Sequence, residues 1–134
     1  MRRLLSLALA LAIVGCGSDS SSEPTNASVA GTWSLVSVNG AALPFILSAS
    51  PKIELLSSVV TVASNGTFTS STQTRTTIGT QATTSTSTQS GTYTLSGSAV
   101  AIRSTDGSTV QAGSVSGNTL TLAQTGLVFV YQKQ

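Results

Sequence analysis

The sequence predicts an all-β fold: an antiparallel, up-and-down, eight-stranded β-barrel preceded by a signal peptide and a flexible linker. Three observations carry this. From Val29 onward, short β-like runs are divided by turn dipeptides such as Asn39-Gly40, Asn65-Gly66 and Asp106-Gly107. No stretch beyond the first 16 residues shows a convincing helical period. And 24 Ser and 21 Thr make 45 of the 134 residues hydroxyl-bearing, while charged residues are 7% and aromatics 4%. Thr, branched at Cβ, is a good strand former. Strands joined in sequence by tight hairpins become antiparallel neighbours. Such a meander must hide its two edges, and eight strands is the size at which a sheet closes on itself. A sandwich would need longer crossovers.

The first element is the leader. Arg2 and Arg3 precede an apolar run over 4–14 that is broken only by Ser6. A bilayer span needs about 20 apolar residues, so this run is too short to be one. It fits the hydrophobic region of a signal peptide. Its end, Ile13-Val14-Gly15-Cys16, resembles the lipobox of bacterial lipoproteins: an aliphatic residue three before the Cys and a small residue just before it. That resemblance implies cleavage before Cys16, so 1–15 form the signal peptide. It also implies lipidation of Cys16 on sulfur and amine by acyl chains such as palmitate. Two or more chains give stable membrane anchoring. Cys16 is the single Cys of the chain. Gly17, not Asp, follows it, and in families where sorting is understood this implies the outer membrane of the cell envelope rather than the inner.

Residues 16–28 then read as the lipidated Cys and a tether. Ser, Pro, Gly and Asn dominate and no hydrophobic period exists. Twelve such residues reach roughly 19 Å. The domain covers 29–134. Its strands are expected at 32–38, 53–63, 67–78, 81–95, 99–105, 108–115, 119–124 and 127–133. The longer connection over 41–51 has room for one turn of helix around 43–50. Gly91 is expected to kink the long strand that contains it.

Alternation sets the faces. Trp33, Leu35, Phe68, Tyr93 and Leu95 point inward, with Val100, Ile102, Leu120, Leu122 and Phe129. Within this set Trp33, Phe68, Tyr93, Leu95, Ile102, Leu122 and Phe129 are the candidate ligand- or core-lining residues. The segment 67–94 departs from the pattern, with 18 Ser or Thr in 28 residues. Such a hairpin has little to bury on either face. It either projects past the barrel as a polar ribbon or lines a hydrated cavity with hydroxyls and amides.

Gly31-Thr32-Trp33 at the head of the first strand, a downstream Asn65-Gly66-Thr67-Phe68 hairpin, the run Gly91-Thr92-Tyr93-Thr94-Leu95-Ser96-Gly97 and the closing Val130-Tyr131-Gln132-Lys133 together resemble the lipocalin-like domains of small bacterial lipoproteins. The resemblance covers 29–134. It implies a barrel carrying a small apolar or amphipathic ligand beside the envelope. It also implies that Trp33 packs at the closed end beneath a late cation, either Lys133 or Arg103. Lipocalins add a helix packed on the barrel, and none is visible in this sequence. The same start occurs in META-type lipoprotein domains, which usually carry a Gly-Cys-Asn motif that this chain does not have.

Composition narrows the chemistry. With no His, no His-activated nucleophile and no His-ligated metal can form. The four carboxylates are Asp19 and Glu23 in the tether, Asp106 in a turn and Glu54 beside Lys52. Paired carboxylates are hard to assemble from these. Six scattered cations make no nucleic-acid footprint. Removing 1–15 takes Arg2 and Arg3, so four cations then balance four anions. The expectation is a non-enzymatic protein with no cofactor or metal, monomeric, contacting a membrane through Cys16 and not contacting nucleic acid. The alternative to a ligand carrier is a structural or protein-interaction module of the envelope with a filled barrel.

Overall fold

The structure, a computed structural model, describes residues 25–134. The expected signal peptide, Cys16 and the tether up to residue 24 lie outside them. Ten strands form one antiparallel sheet: β1 (Gly31–Val38), β2 (Ala41–Ala42), β3 (Phe45–Ala49), β4 (Lys52–Val62), β5 (Thr67–Ile78), β6 (Gln81–Ser96), β7 (Ala99–Ser104), β8 (Val110–Ser116), β9 (Thr119–Gln124) and β10 (Leu127–Lys133). Each of the strands from β4 to β10 pairs with the next. β10 pairs with β1, and β1 pairs with β4 through Gly31↔Val62 to Ser34↔Val59. That last seam closes an eight-stranded up-and-down barrel, as the turn spacing predicted. The two remaining strands sit at its margin, β2 on the end of β1 and β3 on the start of β4.

Two β-bulges decide which residues enter the core. In β1 the register shifts between Leu35 and Ser37. Trp33 and Leu35 face inward before the bulge, and Val38 after it, at 0% exposure. Strict alternation from Trp33 would have put Val38 outside. In β4 the register shifts between Leu55 and Ser57. Leu55 is buried before it, and Ser58, Val60 and Val62 after it. The extra residue in each bulge reverses the parity of everything that follows.

The other inward residues mostly follow alternation. Phe68, Tyr93, Val100, Ile102, Leu120 and Leu122 are buried with Val115 and Tyr131. Leu95 and Phe129 are only partly buried and pack against this cluster. Gly91 matters for space. A Cβ there would clash with the Arg103 backbone carbonyl oxygen on β7. The pairings of β6 with β5 and β7 run through it without a register shift, so the expected kink gives way to a close strand approach.

Two local expectations are corrected. The connection at 43–50 holds no helical turn. Its Phe45-Ile46-Leu47 run forms β3 and pairs with the part of β4 that β1 has already left. At the other end, the last tether residues form α1 (Asn26–Val29), one helical turn with a capping box between Thr25 and Ser28. The Thr25 hydroxyl accepts from the Ser28 amide, and the Ser28 hydroxyl accepts from the Thr25 amide, satisfying two donors that would otherwise be orphaned. The turn carries Val29, 5% exposed, onto the barrel's underside.

Candidate functional site

The two ends of the barrel differ. At the end where β1 begins, α1 lies across the opening. The Trp33 indole N–H donates to the Val29 carbonyl at 2.9 Å, and the Tyr93 hydroxyl donates to the Ala63 carbonyl at 2.7 Å. The Lys133 ammonium sits 5.5 Å from the centroid of the Trp33 ring and donates to the Ser28 carbonyl at 2.7 Å. Between the two cations considered for this contact, the structure selects Lys133. Its partner in the ladder is Trp33 itself, whereas Arg103 lies on β7 opposite Thr92 and Val110. Gly31 makes room for the lysine: a Cβ there would meet the Lys133 Cε at 2.9 Å. The space left among Val29, Trp33, Val62, Tyr93, Val100 and Leu120 is about 10 Å³. That is no more than one water needs, so this end is sealed.

The opposite end holds a cup of about 180 Å³. Val60, Phe68, Ile102 and Phe129 form its apolar lower part, with the Tyr131 ring. Its upper wall is polar on two sides, while Leu55, opposite Thr74, and Leu47 add apolar surface. From β4 and β5 come Ser58, Ser70, Thr72 and Thr74; from β6, β8 and β9 come Gln89, Gln111 and Gln124, with Thr109 just ahead of β8. These groups are prearranged. Ser58 and Thr72 hydroxyls are 3.0 Å apart, and the Tyr131 hydroxyl is 3.5 Å from Ser58. The Gln89 amide donates to the Thr109 hydroxyl at 3.0 Å, and that hydroxyl donates back to the amide oxygen at 3.1 Å. Gln111 donates to the Gln124 amide oxygen at 2.9 Å. Burial pushes the Tyr131 hydroxyl pKa up, partly opposed by Ser58, so the phenol stays neutral.

The Thr-rich hairpin does both things open to it. Its inner end contributes Phe68, Ser70, Thr72, Thr74 and Gln89 to the cup. Its outer end projects. β6 pairs with β7 only from Gly91 to Ser96, and residues 81–88 are all exposed. With β3 and the first half of β4 it forms an apron rising past one side of the mouth.

Among the described residues, the charged side chains stay off the cup. Glu54 lies directly opposite Arg75 in the β4–β5 ladder, one residue out of phase with the inward pair Leu55 and Thr74. Its carboxylate pairs with Lys52 at 3.0 Å and with Arg75 at 2.8 Å. The Lys52 and Arg75 hydrogen bonds, in that order, hold it below the usual carboxylate range. The two cationic side chains laid over Glu54 account for its small exposure. Asp106, in the β7–β8 turn, accepts from the Ser104 hydroxyl at 2.6 Å and from the Ser108 amide and hydroxyl at 2.9 and 2.7 Å. Those bonds lower its pKa to about 2, and their geometry is that of a turn-stabilising Asx motif.

Of the seven candidate lining residues, the structure brings Phe68, Ile102 and Phe129 together in the cup. Trp33 and Tyr93 form the sealed end, Leu95 packs at the margin of the core, and Leu122, at 0% exposure, is enclosed. The polar groups of the upper wall went unnamed individually. Gln124 stands two residues from Leu122, and Gln89 and Gln111 stand four from Tyr93 and Val115, and that parity was the signal available for them.

A sealed floor, a closed antiparallel wall and an open amphipathic cup define a small up-and-down barrel of the ligand-binding class. Comparison with known families agrees: the model of the lipocalin-like domain matches residues 29–122. The chain belongs to the lipocalin-like domain family. No curated protein matches the chain.

Proposed function

We propose that this protein is a lipid-anchored, non-catalytic carrier that binds a small apolar or amphipathic molecule at the bacterial cell envelope. The observation that supports binding is the cup: about 180 Å³, lined by apolar side chains together with hydroxyls and amides, open at one end of a barrel sealed at the other. The lipobox-like Ile13-Val14-Gly15-Cys16 supports anchoring, and Gly17 after the Cys favours the outer membrane. The first described residues approach the barrel at its sealed end, through α1. An anchor at Cys16 would therefore join the barrel at its sealed end and leave the mouth of the cup clear of the point of attachment. The two carboxylates of the barrel, Glu54 and Asp106, stand outside the cup, engaged in an ion-pair cluster and a turn. Neither is placed to act on a bound molecule.

Native mass spectrometry of the protein taken from its own envelope tests this reading. A co-purified molecule that leaves on mild activation is the expected result. Its absence under every solution condition counts against the carrier. The second reading, a structural or interaction module with a filled barrel, draws on the packed lower half and the modest size of the cup.

A further inference from the structure

We infer that the cup takes an uncharged molecule about the size of one six-membered ring, bearing hydroxyl or carbonyl groups that bond the Gln111–Gln124 amide pair; this rests on the carrier reading above. Size comes first. A cavity of about 150 Å³ accepts benzene, so about 180 Å³ accepts a single ring with a small substituent. The space beneath is packed to about 10 Å³, so an alkyl chain has nowhere to thread.

Charge comes second. The cup's lining among the described residues consists of aliphatic and aromatic side chains, hydroxyls and neutral amides. An ion entering it would lose its hydration and meet no counter-charge. The nearby charges are committed elsewhere, Lys52 and Arg75 to Glu54 on the outer face of the apron, and Asp106 to its own turn.

Polarity comes third. Gln111 and Gln124 share one hydrogen bond. Whichever way the two amides are turned, one amino group and one carbonyl oxygen remain for a ligand. A purely apolar guest would strip water from both and return nothing, whereas a guest with a hydroxyl or carbonyl replaces the lost bonds. The apolar surface of Phe68, Ile102 and Phe129 beneath takes the ring.

The test is ligand-observed NMR and calorimetry on the full lipidated chain in nanodiscs, with empty nanodiscs subtracted. The probes share one ring size: benzyl alcohol, toluene, benzoate and benzylammonium, with oleate as a long-chain comparison. Benzyl alcohol is expected to bind about tenfold tighter than either charged analogue, with oleate showing no saturable binding. Gln111→Leu with Gln124→Leu should weaken benzyl alcohol by roughly two- to tenfold, the worth of a net hydrogen bond, and leave toluene as tight or tighter. Benzoate or oleate binding as tightly as benzyl alcohol overturns the ligand class and leaves the carrier reading standing. Toluene binding tightest to the unmodified chain overturns the role of the amides. Failure of every probe to bind overturns the class, while the carrier reading stands or falls on the native mass spectrometry described above.

Discussion

Trp33→Ala is the substitution whose consequence the sealed end fixes most closely. The Trp33 side chain is fully enclosed, at 0% exposure. Truncating an enclosed aromatic residue to Ala costs about 3–5 kcal/mol through lost transfer energy and the cavity left behind. At this site the strands beneath cannot easily collapse, because each is held in the ladder on both sides. The change also orphans the Val29 carbonyl and removes the ring under Lys133. The upper part of that range is therefore expected. A domain of this size is stable by about 5–15 kcal/mol, so the loss removes a large share. Urea unfolding followed by far-UV circular dichroism is the suitable assay, since Trp33 is the single Trp and its removal abolishes intrinsic Trp fluorescence. With a urea slope of about 1.5–2 kcal/mol per molar, the midpoint should fall by roughly 2–3 M. Trp33→Phe should lose about half as much, because the ring stays and the N–H bond goes. A cycle of Trp33→Leu with Lys133→Met, which removes the aromatic face, should return a coupling of about 0.5 kcal/mol, at the low end for an accessible cation over an aromatic face. A loss below about 1 kcal/mol for Trp33→Ala would mean that the floor of the barrel does not rest on this residue.

Other expectations follow from individual contacts. Gly91→Ala drives a methyl into the Arg103 carbonyl oxygen, so β6 and β7 must separate; a loss of about 3 kcal/mol in urea unfolding is expected, and an unchanged midpoint would contradict the close approach. The Asp106 carboxyl, lowered to about 2 in the folded chain, stabilises the fold above the ordinary carboxylate pKa, and that contribution disappears as pH falls from about 4 through 2. Asp106→Ala should therefore flatten the acid limb of stability against pH over that window, and carbon-detected NMR should place the wild-type midpoint near 2. Both Tyr hydroxyls are raised by burial, so their neutral forms favour the fold below the unfolded pKa and that preference is lost as pH rises beyond it. Absorbance at 295 nm should show tyrosinate appearing only above about pH 10 and together with unfolding. Cys16→Ser should move the protein from membrane pellets to the soluble fraction, and continued pelleting would sink the proposed anchor.

Much of this fold was legible because its information is local. Asn65-Gly66 and Asp106-Gly107 mark turns by their own backbone preferences, and the strands between turn signals number eight in the sequence as in the closed barrel. The packing of Trp33 at the sealed end was implied by the lipocalin-like resemblance that Gly31-Thr32-Trp33 helps to carry, and the alternating runs around Tyr93, Ile102 and Leu122 named much of the core. The cup was only half legible. Its apolar floor could be picked out by hydrophobicity, but Ser58, Gln89, Gln111 and Gln124 look like any other polar strand residues until parity and closure aim them inward.

What the sequence determined by itself was the eight barrel strands, their antiparallel order and the near-absence of charge, because turn chemistry, Cβ branching and composition act within a few residues of where they are read. What only the tertiary structure decided was the contents of the interior. The bulges beside Val36 and Leu56 reverse the facing of all that follows and exist only in relation to a partner strand. The β1–β4 seam joins residues about thirty positions apart and left β3 to pair where a helical turn had been expected. Lys133 rather than Arg103 meets Trp33 because β10 closes against β1, a contact that no local preference encodes.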